Sequence, residues 1–284
     1  MDWIHAILLG LVQGLTEFLP VSSSGHLRLG HAMFGNGEPE LFFDIVLHVG
    51  TLLAVLGFYG RDIVNLLTDI WWSLRNQSMG RAFASSIGLR TAVFIVVASM
   101  PTAVIGLLLK ETMEGPLITT DIVGGLLLLN GVMLFASRWA GGSAESGTLT
   151  EEQKAQELAH ALSSMSLRNA FIVGLAQGVA VLPGISRSGS TIVTALLLGI
   201  PRTYAARLSF LLSVPAILGA LALSARHGVP IASDELPMAI AGAGVAGLTG
   251  LGALFAVILV LRQARLHHFA WYCWLLGAFA LLVL

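Results

Sequence analysis

The chain has 284 residues, of which 56% are hydrophobic and only 11% are charged, and its mean hydropathy is +0.84. This composition excludes a soluble globular domain and indicates a multi-pass membrane protein. The charge is balanced, with 15 basic and 16 acidic residues, so nucleic acid is not an expected partner.

Taken in chain order, the predicted elements are of two kinds. A helix that crosses a bilayer needs about 20 mainly apolar residues. Residues 3–34 and 169–200 do not provide this, because each consists of a short helix, a break rich in Pro, Ser and Gly, and a second short helix. An exposed amphipathic helix is predicted near residues 150–160. Six segments are long and apolar enough to cross, at residues 42–60, 90–110, 117–139, 203–225, 236–262 and 268–284.

The two broken segments are predicted to be re-entrant hairpins. Irregular backbone at membrane depth is tolerated only where it is buried in protein or lines a wet cavity. We therefore expect residues 3–34 and 169–200 to meet near the middle of the bilayer. The predicted fold class is an all-α polytopic membrane bundle of six spanning helices plus these two hairpins.

The chain contains an internal repeat. GLVQGLTEFLPVSSSGH at residues 10–26 matches GLAQGVAVLPGISRSGS at residues 174–190, and matched positions are 164 residues apart at both ends of the motif. The prediction is a single membrane domain made of two halves, residues 1–140 and 166–284, joined by a cytoplasmic loop at 141–165. Each half has three crossings, and an odd number of crossings requires the second half to be inverted.

Basic residues in the loops predict the orientation. Cytoplasmic loops of membrane proteins carry an excess of Lys and Arg. This rule places both termini and the loops at residues 111–116 and 227–235 outside. The basic residues that flank the cytoplasmic loops are Arg61, Arg75, Arg81, Arg90, Arg138, Lys154, Arg168, Arg262 and Arg265.

The first hairpin carries polar residues where lipid disfavours them. Gln13 and Glu17 are four residues apart, so they share one face of a short helix. A carboxylate inside a bilayer is costly and usually functional, although a hydrogen-bonded pair that only joins two helices is the alternative. After Pro20 comes a turn with three hydroxyls, a glycine that permits close approach to the backbone, and a histidine suited to proton transfer, at Ser22, Ser23, Ser24, Gly25 and His26.

The second hairpin replaces the acid with Val181 but adds Arg187. A guanidinium beside hydroxyls at the N-terminus of a short helix is suited to bind an anion. The alternatives are that Arg187 reaches toward the membrane interface or forms a structural salt bridge with Glu17. The neighbouring polar positions are Ser186, Ser188, Gly189, Ser190 and Thr191.

Together the two turns predict phosphoryl chemistry on a lipid. In this interpretation Arg187 binds phosphoryl oxygens, Ser23 or a water attacks, and His26 moves the proton. Glu17 holds a divalent cation or acts as a base. His48, inside the first span, is a further candidate for the pocket wall, with a satisfied core histidine as the alternative.

The string EFLPVSSSGH preceded by Gln13, together with PGISRSGST, resembles the signatures of the bacterial undecaprenyl-diphosphate phosphatase family, also called the bacitracin-resistance family. The likeness extends over most of the chain. It implies a hydrolase of the bacterial inner membrane that removes the terminal phosphate of undecaprenyl diphosphate. The product is the monophosphate carrier for peptidoglycan synthesis. The resemblance also implies magnesium or calcium as cofactor and an active site open to the periplasm.

Position by position, the resemblance assigns roles to residues of both turns. The acidic pair falls on Gln13 and Glu17, and because Gln13 has no carboxylate, Glu17 alone is expected to bind the metal. The nucleophile and its neighbouring serine fall on Ser23 and Ser22, and the essential histidine falls on His26. The predicted catalytic residues are Glu17, Ser23, His26 and Arg187, and the predicted substrate-binding residues are Gln13, Ser22, Ser24, Gly25, Ser186, Ser188, Gly189, Thr191 and His48.

Two questions stay open at the level of sequence. The first is mechanistic: either Ser23 forms a phosphoserine, which we favour, or His26 activates water directly. The second is functional, because inverted repeats with broken helices also build carriers, which would move a prenyl phosphate without hydrolysing it. A carrier, however, does not need a serine and histidine cluster facing an arginine. The predicted partners are a polyprenyl diphosphate lipid, membrane lipid and a second copy of the chain in a homodimer.

Overall fold

The computed structural model describes residues 3–33, 41–76, 83, 86–114, 118–140, 150–226 and 236–284. Within these ranges the regular elements are all helical. The α-helices are α1 (Trp3–Phe18), α2 (Ser23–Met33), α3 (Leu41–Phe58), α4 (Gly60–Asn76), α5 (Ile87–Glu114), α6 (Thr120–Ala136), α7 (Glu151–Ser164), α8 (Leu167–Val179), α9 (Arg187–Leu197), α10 (Arg202–Arg226), α11 (Leu236–Arg262) and α12 (Phe269–Val283). Several predicted features lie wholly or partly outside the described residues. They are Arg81, residues 115–116 of the loop at 111–116, residues 141–149 of the cytoplasmic loop at 141–165, and the loop at 227–235.

The all-α polytopic bundle predicted from the sequence is confirmed. Five helices, α5, α6, α10, α11 and α12, are each long and apolar enough to cross a membrane once short flanking turns are included. The remaining predicted span, at 42–60, corresponds to α3. This helix meets the length criterion for a span only together with α4. The amphipathic helix expected near 150–160 is α7.

Helix α4 corrects one expectation of the sequence analysis. The segment after residue 60 was expected to be a loop, but residues 60–76 form a helix that bends by 68° away from α3. Its outward face exposes a stripe of large apolar side chains at Val64, Leu67, Trp71 and Leu74. Charged residues on the rest of α4 conceal this stripe from a simple hydropathy measure.

Both hairpins have the predicted helix, break and helix. In the first, residues 19–22 separate α1 from α2, and in the second, residues 180–186 separate α8 from α9. With 16 residues in α1 and 13 in α8, neither leading helix has the length of a spanning helix. That the chain turns back at both breaks, as a re-entrant hairpin requires, stays a prediction.

Each hairpin packs on a long helix of the other half of the chain through a small-residue face. Helix α1 lies against α11, and a Cβ added at Gly10 would overlap the backbone carbonyl of Gly242. Helix α8 lies against α5, and a Cβ at the matching Gly174 would overlap the backbone carbonyl of Ala98. Both glycines begin a Gly-x-x-x-Gly pattern, which lets helix backbones approach closely in membranes.

Glycines also allow α6 and α12 to approach each other closely. A Cβ at Gly124 would lie 3.0 Å from the oxygen of Gly277, and a Cβ at Gly277 would lie 2.7 Å from the oxygen of Gly124. This reciprocal contact and the matched glycine contacts of α1 and α8 agree with two related halves. In that arrangement the hairpin of each half packs against a long helix of the other. The repeat boundaries and the inversion stay predictions.

The polar ends of several helices lie together at one end of the bundle. Arg202 at the start of α10 donates to the carbonyl of Ala140 after α6, over 3.4 Å. Arg207 lies 3.4 Å from the carboxylate of Asp62 at the start of α4. This grouping matches the helix ends that the sequence analysis places on one face. Which side of the membrane this face occupies stays a prediction.

Candidate active site

The carboxylate of Glu17 is the centre of the polar cluster between the two turns. Its Oε2 accepts hydrogen bonds from Gln13 Nε2 over 2.9 Å and from Ser23 Oγ over 2.6 Å. Its Oε1 accepts from Nη2 of Arg187, which belongs to the second hairpin. The Nε2 of His48 lies 3.6 Å from Oε2. The structure thus places four other predicted site residues around the carboxylate of Glu17, which is only 4% exposed.

Two atoms of this cluster retain unused hydrogen-bonding capacity. Arg187 Nη1 and Gln13 Oε1 are buried and have no hydrogen-bond partner among the described residues. A buried polar atom left unsatisfied costs about 1–3 kcal/mol, so both atoms gain from a ligand. The guanidinium donor suits a phosphoryl oxygen, and the amide oxygen suits a donor or a cation.

His26 has a partner that the sequence analysis did not identify. Its Nδ1 lies 2.7 Å from the carbonyl oxygen of Ser22, and its Nε2 lies 2.7 Å from the hydroxyl of Tyr272 on α12. A carbonyl can only accept, so Nδ1 carries the proton in the neutral ring and Nε2 accepts from the tyrosine. His26 and Tyr272 form a hydrogen-bonded pair, and His26 lies three residues after Ser23 on α2.

His48 is oriented in the same way. Its Nδ1 donates to the carbonyl of Asp44 one turn earlier, over 2.7 Å. Nε2 is therefore the ring nitrogen that faces Glu17. Two interpretations of His48 were open, a residue of the pocket wall and a satisfied core histidine. This geometry supports the pocket wall.

Ser22 lies in the backbone junction between the two turns. It has a positive φ of 69°. Its Oγ accepts from the backbone N–H of Gly184 in the second turn, over 3.0 Å, and from that of Gly25, over 3.3 Å. In the structure the Ser22 hydroxyl joins the two hairpins, and its predicted role in binding substrate stays a prediction.

Asn130 of α6 is a second residue that joins the turns. Its Nδ2 donates to the carbonyl of Pro20 and its Oδ1 accepts from the backbone N–H of Ser186, both over 2.9 Å. Close contact with α6 also explains Gly184, which has a φ of +109° and where a Cβ would lie 2.7 Å from Leu126. A fully buried amide thus holds both breaks at the middle of a spanning helix.

The remaining predicted residues of the second turn mainly stabilise local structure. Ser186 caps α9 by accepting from the N–H of Gly189, and Ser188 donates to the carbonyl of Leu19 over 3.3 Å. Thr191 shares a 2.6 Å hydrogen bond with Ser209 and is buried, away from Glu17 contacts. Ser24 and Gly25 lie on the first turn of α2: Ser24 is half-buried, and Gly25 is buried next to Gly184.

Sequence reasoning missed Asn130 and Tyr272 for different reasons. Asn130 is a polar residue in the apolar segment at 117–139, and the rule that intramembrane polar groups have partners would have identified it. Tyr272 lies in an aromatic-rich apolar run, where a tyrosine more often faces lipid, so no sequence signal separates it from its neighbours.

The predicted divalent cation can be tested against the groups available. In the part of the chain that the structure describes, no set of three or more His, Cys, Asp or Glu side chains is placed to hold a metal ion. Magnesium commonly binds one or two carboxylates and completes its shell with water and substrate phosphates. Glu17 and the unpartnered Gln13 Oε1 fit that pattern. The residues suit a cation held jointly with the substrate.

Comparison with known proteins agrees with this site. The profile of the family described as bacitracin resistance protein BacA matches residues 6–279. The chain belongs to this family.

Relatives of similar length share the family. A protein named undecaprenyl-diphosphatase from Desulfatibacillum aliphaticivorans is 40% identical over 283 residues, which cover 98% of this chain and 97% of that protein. One of the same name from Desulfosudis oleivorans is 42% identical over 287 residues, covering 99% and 98%. Another from Methanosphaera stadtmanae is 38% identical over 290 residues, covering 100% and 98%. The resemblance drawn from the two turn motifs is confirmed.

Proposed function

We infer that the protein is an undecaprenyl-diphosphatase, which hydrolyses the terminal phosphate of the prenyl diphosphate to give the monophosphate carrier for cell-wall synthesis. One observation supports the hydrolytic chemistry most directly. A serine hydroxyl, Ser23, donates to a buried carboxylate, Glu17, which also contacts an arginine, Arg187, that has a spare donor. The names of the relatives supply the substrate class.

In the proposed first step, Ser23 Oγ attacks the terminal phosphorus. Its proton passes to Glu17 Oε2, the atom it already contacts at 2.6 Å. The bond between the terminal phosphorus and the bridging oxygen breaks, and the prenyl monophosphate leaves with the bonding electrons. Arg187 Nη1 is placed to bind a phosphoryl oxygen and to stabilise the charge that develops.

In the second step, water displaces the serine from phosphorus. Glu17 returns the proton to Ser23 Oγ, and the hydroxyl of the water forms the new bond to phosphorus. The other proton of the water passes through a histidine to the departing inorganic phosphate, so the enzyme is regenerated. His48 Nε2 and the His26 and Tyr272 pair are the nearby groups that can take a proton from the water. Direct attack by water, with Ser23 only binding phosphate, is the alternative route.

A divalent cation is part of the proposal. Glu17 and Gln13 Oε1 are the protein atoms that would hold it. When bound, magnesium or calcium would neutralise charge on the diphosphate. The requirement is tested by comparing turnover with either metal and with EDTA.

The chain is a multi-pass membrane protein of a membrane-bound family. We place it in the bacterial inner membrane with the active site open to the periplasm. This placement rests on the basic residues at one end of the bundle, where Arg202, Arg207 and Arg262 lie. A homodimer is also proposed and is testable by the mass of the purified protein in detergent.

The test of function is phosphate release from undecaprenyl diphosphate by the detergent-purified protein. Wild type is compared with Glu17→Gln and with Glu152→Gln, an equal charge change on the exposed part of α7. We expect metal-dependent release by the wild type and by Glu152→Gln, and loss of release by a folded Glu17→Gln. Absence of release from folded wild-type protein would overturn the proposal.

A further inference from the structure

A cavity lined by both charged and apolar side chains lies away from the active site. It has a volume of about 460 Å³ and is formed where α3 and α11 end and where α4 and α10 begin. Phe58 in its wall is ten residues beyond His48 on α3, which corresponds to about 15 Å along the helix axis. We call it the arginine cavity, after Arg202, Arg207 and Arg262 in its lining.

The lining of the arginine cavity is positively charged. Three arginines and one acidic residue, Asp62, are among its lining residues. Arg207 contacts Asp62 over 3.4 Å through Nη2, while its buried Nε has no hydrogen-bond partner among the described residues. Guanidinium groups bind phosphate through planar, paired hydrogen bonds. The charge therefore favours an anion with several acceptor oxygens.

Helix α4 indicates the depth of the cavity in the membrane. It begins at the cavity and bends by 68° from α3. Its exposed apolar stripe includes Trp71 at 68% and Leu67 at 58% exposure, and its polar face carries charged residues. Amphipathic helices of this kind lie in the plane of the lipid headgroups, and tryptophan favours the same level. A helix α4 in that plane would hold the arginine cavity at headgroup height.

Most of the remaining lining residues are apolar, and two of them are exposed on the surface of the bundle. Phe255 is 61% exposed and Leu259 is 59% exposed on the outer face of α11, and both line the cavity. We propose that the arginine cavity binds an anionic phospholipid from the leaflet in which α4 lies. The lipid phosphate contacts Arg207 and Arg262, and an acyl chain lies along Phe255 and Leu259. This site is independent of the proposed function.

The test is native mass spectrometry of the purified protein with phosphatidylglycerol or phosphatidylcholine of identical acyl chains. We expect the first phosphatidylglycerol to bind at least about tenfold more tightly, and Arg207→Gln/Arg262→Gln to abolish that preference. The control is Arg168→Gln/Arg265→Gln, which removes the same charge from exposed positions outside the cavity. Single Arg262→Gln, at an exposed position, is measured too, in case the double variant does not fold.

Three results would overturn the proposal. The first is equal affinity for the two lipids in the wild type. The second is loss of the preference in the control variant to the same extent, which would mean general surface charge. The third is complete displacement of phosphatidylglycerol by inorganic phosphate, which would mean a site for free anions. Retained preference in the control and in the presence of phosphate supports the lipid site.

Discussion

Glu17 and Arg187 are 170 residues apart in sequence, and their side chains form an ion pair where the two hairpins meet. The two residues come from different hairpins, so neither hairpin contains the whole cluster. The side chain of Glu17 is 4% exposed and that of Arg187 is 15% exposed. We therefore expect the pair to contribute to stability as well as to the proposed chemistry.

The two contributions can be separated with paired substitutions. Removing one partner of a buried ion pair leaves an uncompensated charge and costs about 3–5 kcal/mol, whereas removing both costs less. We expect Glu17→Gln and Arg187→Gln each to lower the melting temperature in detergent. The double variant should regain much of that loss but no phosphatase turnover. If turnover returned together with stability, the pair would be purely structural.

Tyr272 is expected to position His26. Tyr272→Phe keeps the ring that stacks on His26 but removes the hydroxyl that contacts Nε2. We expect kcat to fall about tenfold with little change in KM, which is less than the roughly 10²- to 10⁴-fold effect of losing a catalytic base itself. Tyr204→Phe on α10 is the matched control. An unchanged kcat and pH profile in Tyr272→Phe would exclude the positioning role.

Asn130 is expected to stabilise the contact between the two turns. Asn130→Leu leaves the carbonyl of Pro20 and the N–H of Ser186 without their partner, at about 1–3 kcal/mol for each buried group. The melting temperature and the phosphatase rate should both fall. Asn76→Ala removes an exposed asparagine whose hydrogen bond among the described residues is to Trp72 of its own helix, and serves as control. Equal melting temperatures for the two variants would contradict this role.

The glycine contacts of the two hairpins should be equivalent. Gly10→Ala and Gly174→Ala each place a methyl group against the backbone of a neighbouring helix, so each should destabilise the protein by about 1–3 kcal/mol. Gly244→Ala has open space around the new methyl group and should be neutral or stabilising, because alanine favours a helix. Thermal unfolding of the three variants tests this. A clear loss at only one of the two hairpin positions would contradict equivalent packing of the two halves.

Much of the site was predictable because it depends on local spacing and on the repeat. The four-residue spacing of Gln13 and Glu17 predicts their shared helix face, and the matched breaks predict that Arg187 lies near Glu17. A sequence motif does not show which partner a serine or threonine hydroxyl will bond. Ser22 and Thr191 look like ligands in sequence, yet their hydroxyls bond within the protein, as serine and threonine in turns and helices often do.

Other features depend on contacts that sequence patterns do not report. His26 bonds Tyr272 across 246 residues, and no periodicity predicts that contact. Helix α4 was missed because its charged residues interrupt the apolar run, although the outward stripe is clear once the helix is seen. Local patterns therefore predicted the elements and the turn chemistry, while the partners supplied by α6 and α12 required the fold.

The most direct test of the central claim is the turnover of undecaprenyl diphosphate by Ser23→Ala, measured beside Ser163→Ala, which alters an exposed serine on α7. Both proteins must first show wild-type melting behaviour. We predict that Ser23→Ala releases no measurable phosphate while Ser163→Ala retains the wild-type rate. Retention by Ser23→Ala of more than about a few per cent of the wild-type rate would remove Ser23 as the nucleophile and favour direct attack by water.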